Sequence, residues 1–297
     1  MNIEPKIVNT ALMQISQYHK EKGYQVEWYS ALFHDSYDTI FCSSIFTFTK
    51  KPTWIYTDPR VSYGGTGFDN KIVLPREIEQ SNYDWSLYPK CNYSIIWFSR
   101  GCIRCCSFCC VREKEGFIHP VTPKNLNPNG KHIKVIDNNF FANPEWREAI
   151  KQLQEWDQKV DFNQGLDIRL LDKEKLKSLL SLKIHPFYRF SWDLPKQDLR
   201  KKFEWLVQFI KPSRISVYVL VGYQSTLQED LMRVQFLHEL GVDPFVMKYN
   251  HRQDSDFLNH LARWSNRPEI RNSCTFEDYL LKKHYLDLPF DLMGCET

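Results

Sequence analysis

The chain of 297 residues sets a prior of one large or two small domains and is long enough to bury a sizeable core. With 42% hydrophobic and 25% charged residues it is an ordinary globular composition, and a formal charge of +3 is too small to argue for nucleic acid or an anionic membrane surface from bulk electrostatics. No apolar run approaches the roughly 18 residues of a spanning helix. The opening MNIEPKIVNTALMQ also lacks a basic segment followed by an apolar one, so a cytoplasmic location without membrane association is expected.

Residues 1–90 read as a small α/β unit. Thr10 is placed to cap a helix whose apolar positions Leu12, Ile15 and Tyr18 follow a 3.6 period and which Gly23 stops. Gln25–Tyr29 and the β-branched and aromatic stretch Thr39–Phe48 are strand candidates. The tract Ser62-Tyr63-Gly64-Gly65-Thr66-Gly67 is a turn or a close-approach loop. A phosphate-binding loop is the sharper alternative, but the Gly-x4-Gly-Lys-Ser/Thr pattern is missing and no long helix pattern follows. Pro75–Pro89, polar and rich in tyrosine, reads as a linker.

From residue 91 to 250 a repeat takes over. Strand candidates run Tyr93–Phe98, His132–Ile136, Val160–Phe162, Phe187–Phe190, Ile215–Val221 and Pro244–Met247. From the second onward their starts at 132, 160, 187, 215 and 244 lie 27 to 29 residues apart. Helix patterns lie between them. Asn143-Pro144 starts one, Asp172 precedes Leu176, Leu179 and Leu180, and Leu199, Phe203, Leu206 and Ile210 form a stripe. Thr226 with Glu229 is a capping box for a helix that Gly241 closes. The first crossover carries Pro120, Pro123 and Pro128 and has room for a short helix at most. This alternation argues for an α/β fold with a parallel sheet: a partial (β/α)6 TIM-like barrel, with a doubly wound sheet as the alternative. In either, chemistry sits at the C-terminal strand ends. Residues 251–297 are expected to pack on this core as a helical extension carrying Trp264, Phe276 and Tyr279.

Five of the nine cysteines fall between Cys102 and Cys110, directly after the first strand of the repeat. In a reducing compartment this is not a disulfide framework. Structural zinc uses two Cys-x2-Cys pairs separated by a dozen or more residues, whereas here Cys102/Cys105 and Cys106/Cys109 abut. Ferredoxin runs use successive Cys-x2-Cys spacing, which is absent. A thioredoxin-type Cys-x2-Cys leaves the other cysteines unexplained. The remaining reading is Cys-x3-Cys-x2-Cys, met by one triple, Cys102, Cys106 and Cys109, with Cys105 and Cys110 outside it.

With Arg100-Gly101 before the first cysteine and Phe108 before the last, this segment resembles the signature loop of the radical S-adenosylmethionine superfamily. The resemblance covers about residues 91–250. It implies a [4Fe–4S] cluster held by three thiolates, with S-adenosylmethionine chelating the fourth iron through its amino and carboxylate groups. Reductive cleavage would then give a 5′-deoxyadenosyl radical that abstracts a substrate hydrogen, fed by an external electron donor of flavodoxin or ferredoxin type. Arg100, Arg104 and Arg112 would place positive charge near an anionic cluster, and a solvated face is the rival reading for each.

By the same resemblance Asp137-Asn138-Asn139-Phe140 is similar to the segment that binds the methionine amine, with the usual Gly-Gly-Glu replaced. Ser191 and Asp193 would reach ribose hydroxyls or the carboxylate. Gly222, in Leu220-Val221-Gly222, would let adenine stack close, with Met247 and Tyr249 lining it. Asn163, Gln164, Asp167 and Arg169 are candidates for a carboxylate, with a structural Asp167–Arg169 ion pair as the alternative. Residues 1–90 resemble a shortened cobalamin-binding domain. The Asp-x-His-x2-Gly motif is missing, and His34-Asp35 does not supply it, so cobalamin is not expected to bind. Catalytic side chains and the substrate are not identified by sequence. A non-catalytic iron–sulfur electron carrier is the alternative function. The Lys173, Lys175, Lys177 and Lys183 series is read as a solvated face, with nucleic-acid contact as the rival.

Overall fold

The computed structural model describes residues 1–249 and 255–283. The described residues divide into two compact units, one of residues 1–138 and 143–145, the other of 139–142, 146–249 and 255–283. The division falls after residue 138.

In the first unit, helix α1 (Thr10–Glu21) is capped by Asn9 and not by Thr10: the Asn9 carboxamide oxygen accepts from the Leu12 amide at 3.1 Å. Gly23, at φ 85°, ends it. Gln25–Tyr29 forms no strand; the segment has no ladder partner, and Trp28 instead donates its indole N–H to the Leu87 carbonyl at 3.0 Å. Strand β1 (Ile40–Ser43) pairs in parallel with β2 (Val61–Gly64), so the first half of the glycine tract is a strand. The turn after β2 needs its glycines. A Cβ on Gly65, at φ +96°, would stand 2.4 Å from the Ser44 carbonyl oxygen, and one on Gly67 2.3 Å from Ser44 Oγ. The Gly67 amide is spent on that same Ser44 carbonyl at 2.9 Å. The tract is thus a close-approach loop.

Residues 75–89 are a packed segment, not a linker. They contain α2 (Arg76–Gln80), and Tyr83 and Trp85 are buried to 4% and 7%. The Asp84 carboxylate accepts from Ser16 Oγ at 2.6 Å and pairs with Lys20 at 2.8 Å. Aromatic rings that look like part of a polar tract are what fix it to α1. Beyond it come β3 (Ser94–Ile96), β4 (Ser99–Arg100), α3 (Val111–Glu115), β5 (His119–Pro120) and β6 (His132–Val135). β3 pairs in parallel with β6, and β4 in antiparallel with β5. The irregular crossover with one short helix is as its prolines require.

The second unit follows the 28-residue rhythm closely. It runs α4 (Trp146–Trp156), β7 (Lys159–Phe162), α5 (Lys173–Leu180), β8 (Tyr188–Trp192), α6 (Arg200–Leu206), β9 (Ile215–Val221), α7 (Leu227–Glu239) and β10 (Asp243–Lys248). β8, β9 and β10 form a parallel sheet with β9 in the middle. Ile215, Val217, Val219 and Val221 are inaccessible to solvent, each contributing about 1.5–3 kcal/mol by burial. Asp172 caps α5 by accepting from the Lys175 amide at 2.8 Å. Thr226 and Glu229 form the reciprocal capping box of α7.

Helices α8 (Asp256–Ser265), α9 (Pro268–Arg271) and α10 (Phe276–Lys282) complete this unit. Ser265 donates to the Pro244 carbonyl at 3.0 Å, and the Asn266 carboxamide meets the Val246 amide at 2.6 Å and its carbonyl at 3.0 Å. Asn266 thus satisfies the backbone of β10 much as a neighbouring strand would. Within the extension the Trp264 and Phe276 rings meet at 5.4 Å, and its bonds to β10 seat it on the second unit's sheet. The described residues are α/β with short parallel sheets and form no closed barrel.

Candidate functional site

Both ends of the cysteine loop are fixed by local chemistry. Gly101 opens it at φ +77°, where a Cβ would stand 2.5 Å from the Phe117 carbonyl oxygen and 2.8 Å from that of Gly116. Only glycine lets the chain pass there. The Cys102 amide then donates to the Gly116 carbonyl at 3.3 Å, and Arg112 of α3 donates to the Cys102 carbonyl at 3.1 Å. At the far end, the Cys109 amide donates to the Cys106 carbonyl at 3.0 Å, and the Lys114 amide to the Cys110 carbonyl at 2.9 Å, which starts α3.

Within the loop, the Arg104 amide points at Cys102 Sγ at 3.3 Å. Cys102 and Cys106 are half-buried, and Cys105, Cys109 and Cys110 are exposed as residues. Protein packed round the Cys109 sulfur, and after it the neighbouring Cys110, Cys106 and Cys102, push that thiol above its ordinary range. Three cysteine sulfurs on one loop are a soft donor set suited to iron, so the residues present fit an iron–sulfur cube in donor chemistry. Among the described residues no three His, Cys, Asp or Glu side chains converge closely enough for a single ion. A cube takes one thiolate per iron and spaces its sulfurs more widely than a mononuclear zinc does.

Asp137 follows β6 and is 3% exposed. Its carboxylate accepts from the Phe98 amide at 2.9 Å and from Ser99 Oγ at 2.5 Å, fixing the backbone that leads into the cysteine loop. Burial pushes its pKa up to about 6 against these two hydrogen bonds. Asn138 donates to Glu115 Oε2 at 2.7 Å. Phe108 is half-buried beside Cys109. The three thiols, Asp137 and Asn138 all belong to the first unit.

The second unit gathers a polar cluster of its own. Arg169 grips Asp167 with two parallel bonds of 2.6 and 2.9 Å and donates to Gln197 at 2.6 Å, so the ion-pair alternative describes these two residues. The Asn139 amide lies 3.5 Å from Asp167. Asp193 has its pKa raised to about 6, chiefly by burial, with Arg169 and Arg233 opposing, Asp167 reinforcing and a Ser191 hydrogen bond opposing. Asn139, Ser191 and Asp193 therefore share one neighbourhood. The Gly222 amide, at φ 74°, donates to Asp230 at 2.8 Å, and the rings of Tyr223 and Tyr249 meet at 4.5 Å. Met247 stays 47% exposed. The Asn163 carbonyl accepts from the Tyr218 hydroxyl at 3.1 Å.

Sequence reasoning missed Glu115, Asp230 and Arg233. Asp230 and Arg233 lie three residues apart among Leu231, Val234 and Leu237, so the apolar stripe of α7 carries a signal that both are buried. No periodicity marks Glu115. His34 is tied into the first unit through Tyr29 at 3.1 Å and Asp58 at 3.0 Å. Comparison with models of known protein families and with curated proteins finds no match.

Proposed function

We propose that the protein is a radical S-adenosylmethionine enzyme, and that its α/β architecture is a partial (β/α)6 barrel variant. The observation that carries this reading is the Cys102-x3-Cys106-x2-Cys109 loop. It is pinned between a strand end and a short helix, and the Cys106 and Cys102 sulfurs lie close enough to help raise the Cys109 thiol's pKa. When bound, a [4Fe–4S] cluster with one open iron supplies the electron that cleaves S-adenosylmethionine to a 5′-deoxyadenosyl radical.

The chain's own part is to hold and orient. Cys102, Cys106 and Cys109 would each hold one iron, with Phe108 standing beside the last of them. Asp137 sets the backbone at the root of the loop, and Asn138 holds the Glu115 carboxylate. In the second unit we assign Asn139, Ser191 and Asp193 to the polar groups of S-adenosylmethionine, and Gly222, Met247 and Tyr249 to its adenine. Cobalamin has no part in the proposal, and the reductant is an external flavodoxin- or ferredoxin-type donor. Anaerobic reconstitution followed by an assay for 5′-deoxyadenosine under reduction tests the reading. Formation of 5′-deoxyadenosine that depends on Cys106 supports it. A bound cluster that yields none points to a plain electron carrier.

A further inference from the structure

We propose that Glu115 is a positioning residue that clasps the cysteine loop shut and thereby sets the electrostatic surroundings of whatever the loop holds. Its side chain is 11% exposed and accepts three hydrogen bonds, two from the consecutive residues Arg100 and Gly101 and one from Asn138. Arg100 donates to Oε1 at 2.9 Å, the Gly101 amide to Oε2 at 2.9 Å, and Asn138 to Oε2 at 2.7 Å. Arg100 and Gly101 immediately precede Cys102, Glu115 ends the helix that follows Cys110, and Asn138 follows β6. One side chain therefore joins the entry of the loop, its exit and the neighbouring strand end.

Adjacent residues of α3 extend the clasp. Arg112 donates to the Cys102 carbonyl at 3.1 Å, and Lys114 donates to Thr66 Oγ1 of the glycine turn. The Arg100 guanidinium lies 4.1 Å over the Trp97 ring, which fixes the direction from which it approaches Glu115. Charge-assisted hydrogen bonds to a half-buried carboxylate are stronger than neutral ones, and the amide they hold belongs to the residue next to the first thiol. Glu115 also neutralises Arg100. Replacing the carboxylate by a neutral group leaves that cation uncompensated beside the loop and favours a reduced, more negative cluster.

The effect on a cluster depends on the iron–sulfur reading above, whereas closure of the loop does not. Two measurements on the full chain separate them. Hydrogen–deuterium exchange is followed over residues 100–110 in the metal-free protein, in wild type, Glu115→Gln and Glu115→Ala. Loss of the clasp should speed exchange there by about tenfold or more in Glu115→Ala, with Glu115→Gln partly restoring protection through its one remaining oxygen acceptor. The same three proteins are then reconstituted anaerobically and titrated by electron paramagnetic resonance. The Glu115→Gln cluster should be reduced at a more positive potential and surrender iron to a chelator several-fold faster than wild type. Unchanged exchange in both variants overturns the clasp. Altered exchange with an unchanged potential overturns the electrostatic part. A wild type that takes up no iron overturns the cluster reading, while the exchange contrast still decides the clasp.

Discussion

Asp230 and Arg233, three residues apart on α7, are both inaccessible to solvent and meet at 2.5 Å. Arg233 also donates to the carbonyls of Trp192 and Leu220, each at 2.8 Å, and Asp230 accepts from the Gly222 amide at 2.8 Å. One helix thus holds the C-terminal ends of β8 and β9 through a buried ion pair, directly beneath residues assigned to S-adenosylmethionine. Removing one partner strands the other charge in the core, so Arg233→Met should cost about 3–5 kcal/mol. The double change Asp230→Leu with Arg233→Met should cost less than Arg233→Met alone. Denaturant unfolding of the single and double variants checks this, and a double variant less stable than the single one counts against the account.

Asp137 gives a pH signature. Its folded pKa is raised to about 6 from an ordinary 3.8. The folded state therefore holds the proton more tightly than the unfolded state. The stability this confers is fully present below about pH 4 and is lost as pH rises through 6, on the order of 3 kcal/mol in all. Asp137→Asn keeps an oxygen for the Phe98 amide and cannot ionise. Its melting temperature relative to wild type should rise between pH 4 and pH 7. A difference that stays flat across that range contradicts the assignment.

Gly101→Ala combines a left-handed backbone with a Cβ placed 2.5 Å from the Phe117 carbonyl oxygen. The strain should destabilise the protein by about 1–3 kcal/mol and displace the loop next to Cys102. Thermal unfolding combined with iron content after reconstitution reads both effects. Wild-type values for both would show that the loop has room that the structure denies it.

The five cysteines should separate cleanly. Cys106→Ala is expected to lose iron and S-adenosylmethionine cleavage together, whereas Cys110→Ala keeps both. Cys105→Ala also keeps the cluster, because Cys105 is exposed and outside the x3-x2 spacing. Iron analysis and visible absorption decide the matter. Loss of the cluster in Cys105→Ala would mean that the ligand set is wrong.

Periodic information was legible in the sequence, and pairwise information was not. The ends of β9, the capping box of α7 and the Asp172 cap follow from local residue types, and the structure places them where those types require. The cap of α1 moved one residue, from Thr10 to Asn9, because both side chains can accept and only the backbone register distinguishes them. Gln25–Tyr29 has strand composition but no partner to pair with, and strand propensity is a statement about neighbours as much as about residues. The stretch around Tyr83 and Trp85 looked like a linker because its polar residues outnumber the two rings that bury it. At the candidate site, the spacing of the thiols is written in the chain. The partners of Asp137, Glu115 and Arg233 are set by contacts between segments distant in sequence or by helix geometry, which a linear pattern does not carry.

The most direct test of the central claim is the iron and sulfide content of the anaerobically reconstituted full chain, measured together with 5′-deoxyadenosine formation under reduction. The account predicts about four iron and four sulfide per chain, with cleavage of S-adenosylmethionine that disappears in Cys102→Ala, Cys106→Ala and Cys109→Ala. A chain that takes up no iron, or a cluster already bound by four protein sulfurs and inert toward S-adenosylmethionine, would contradict it.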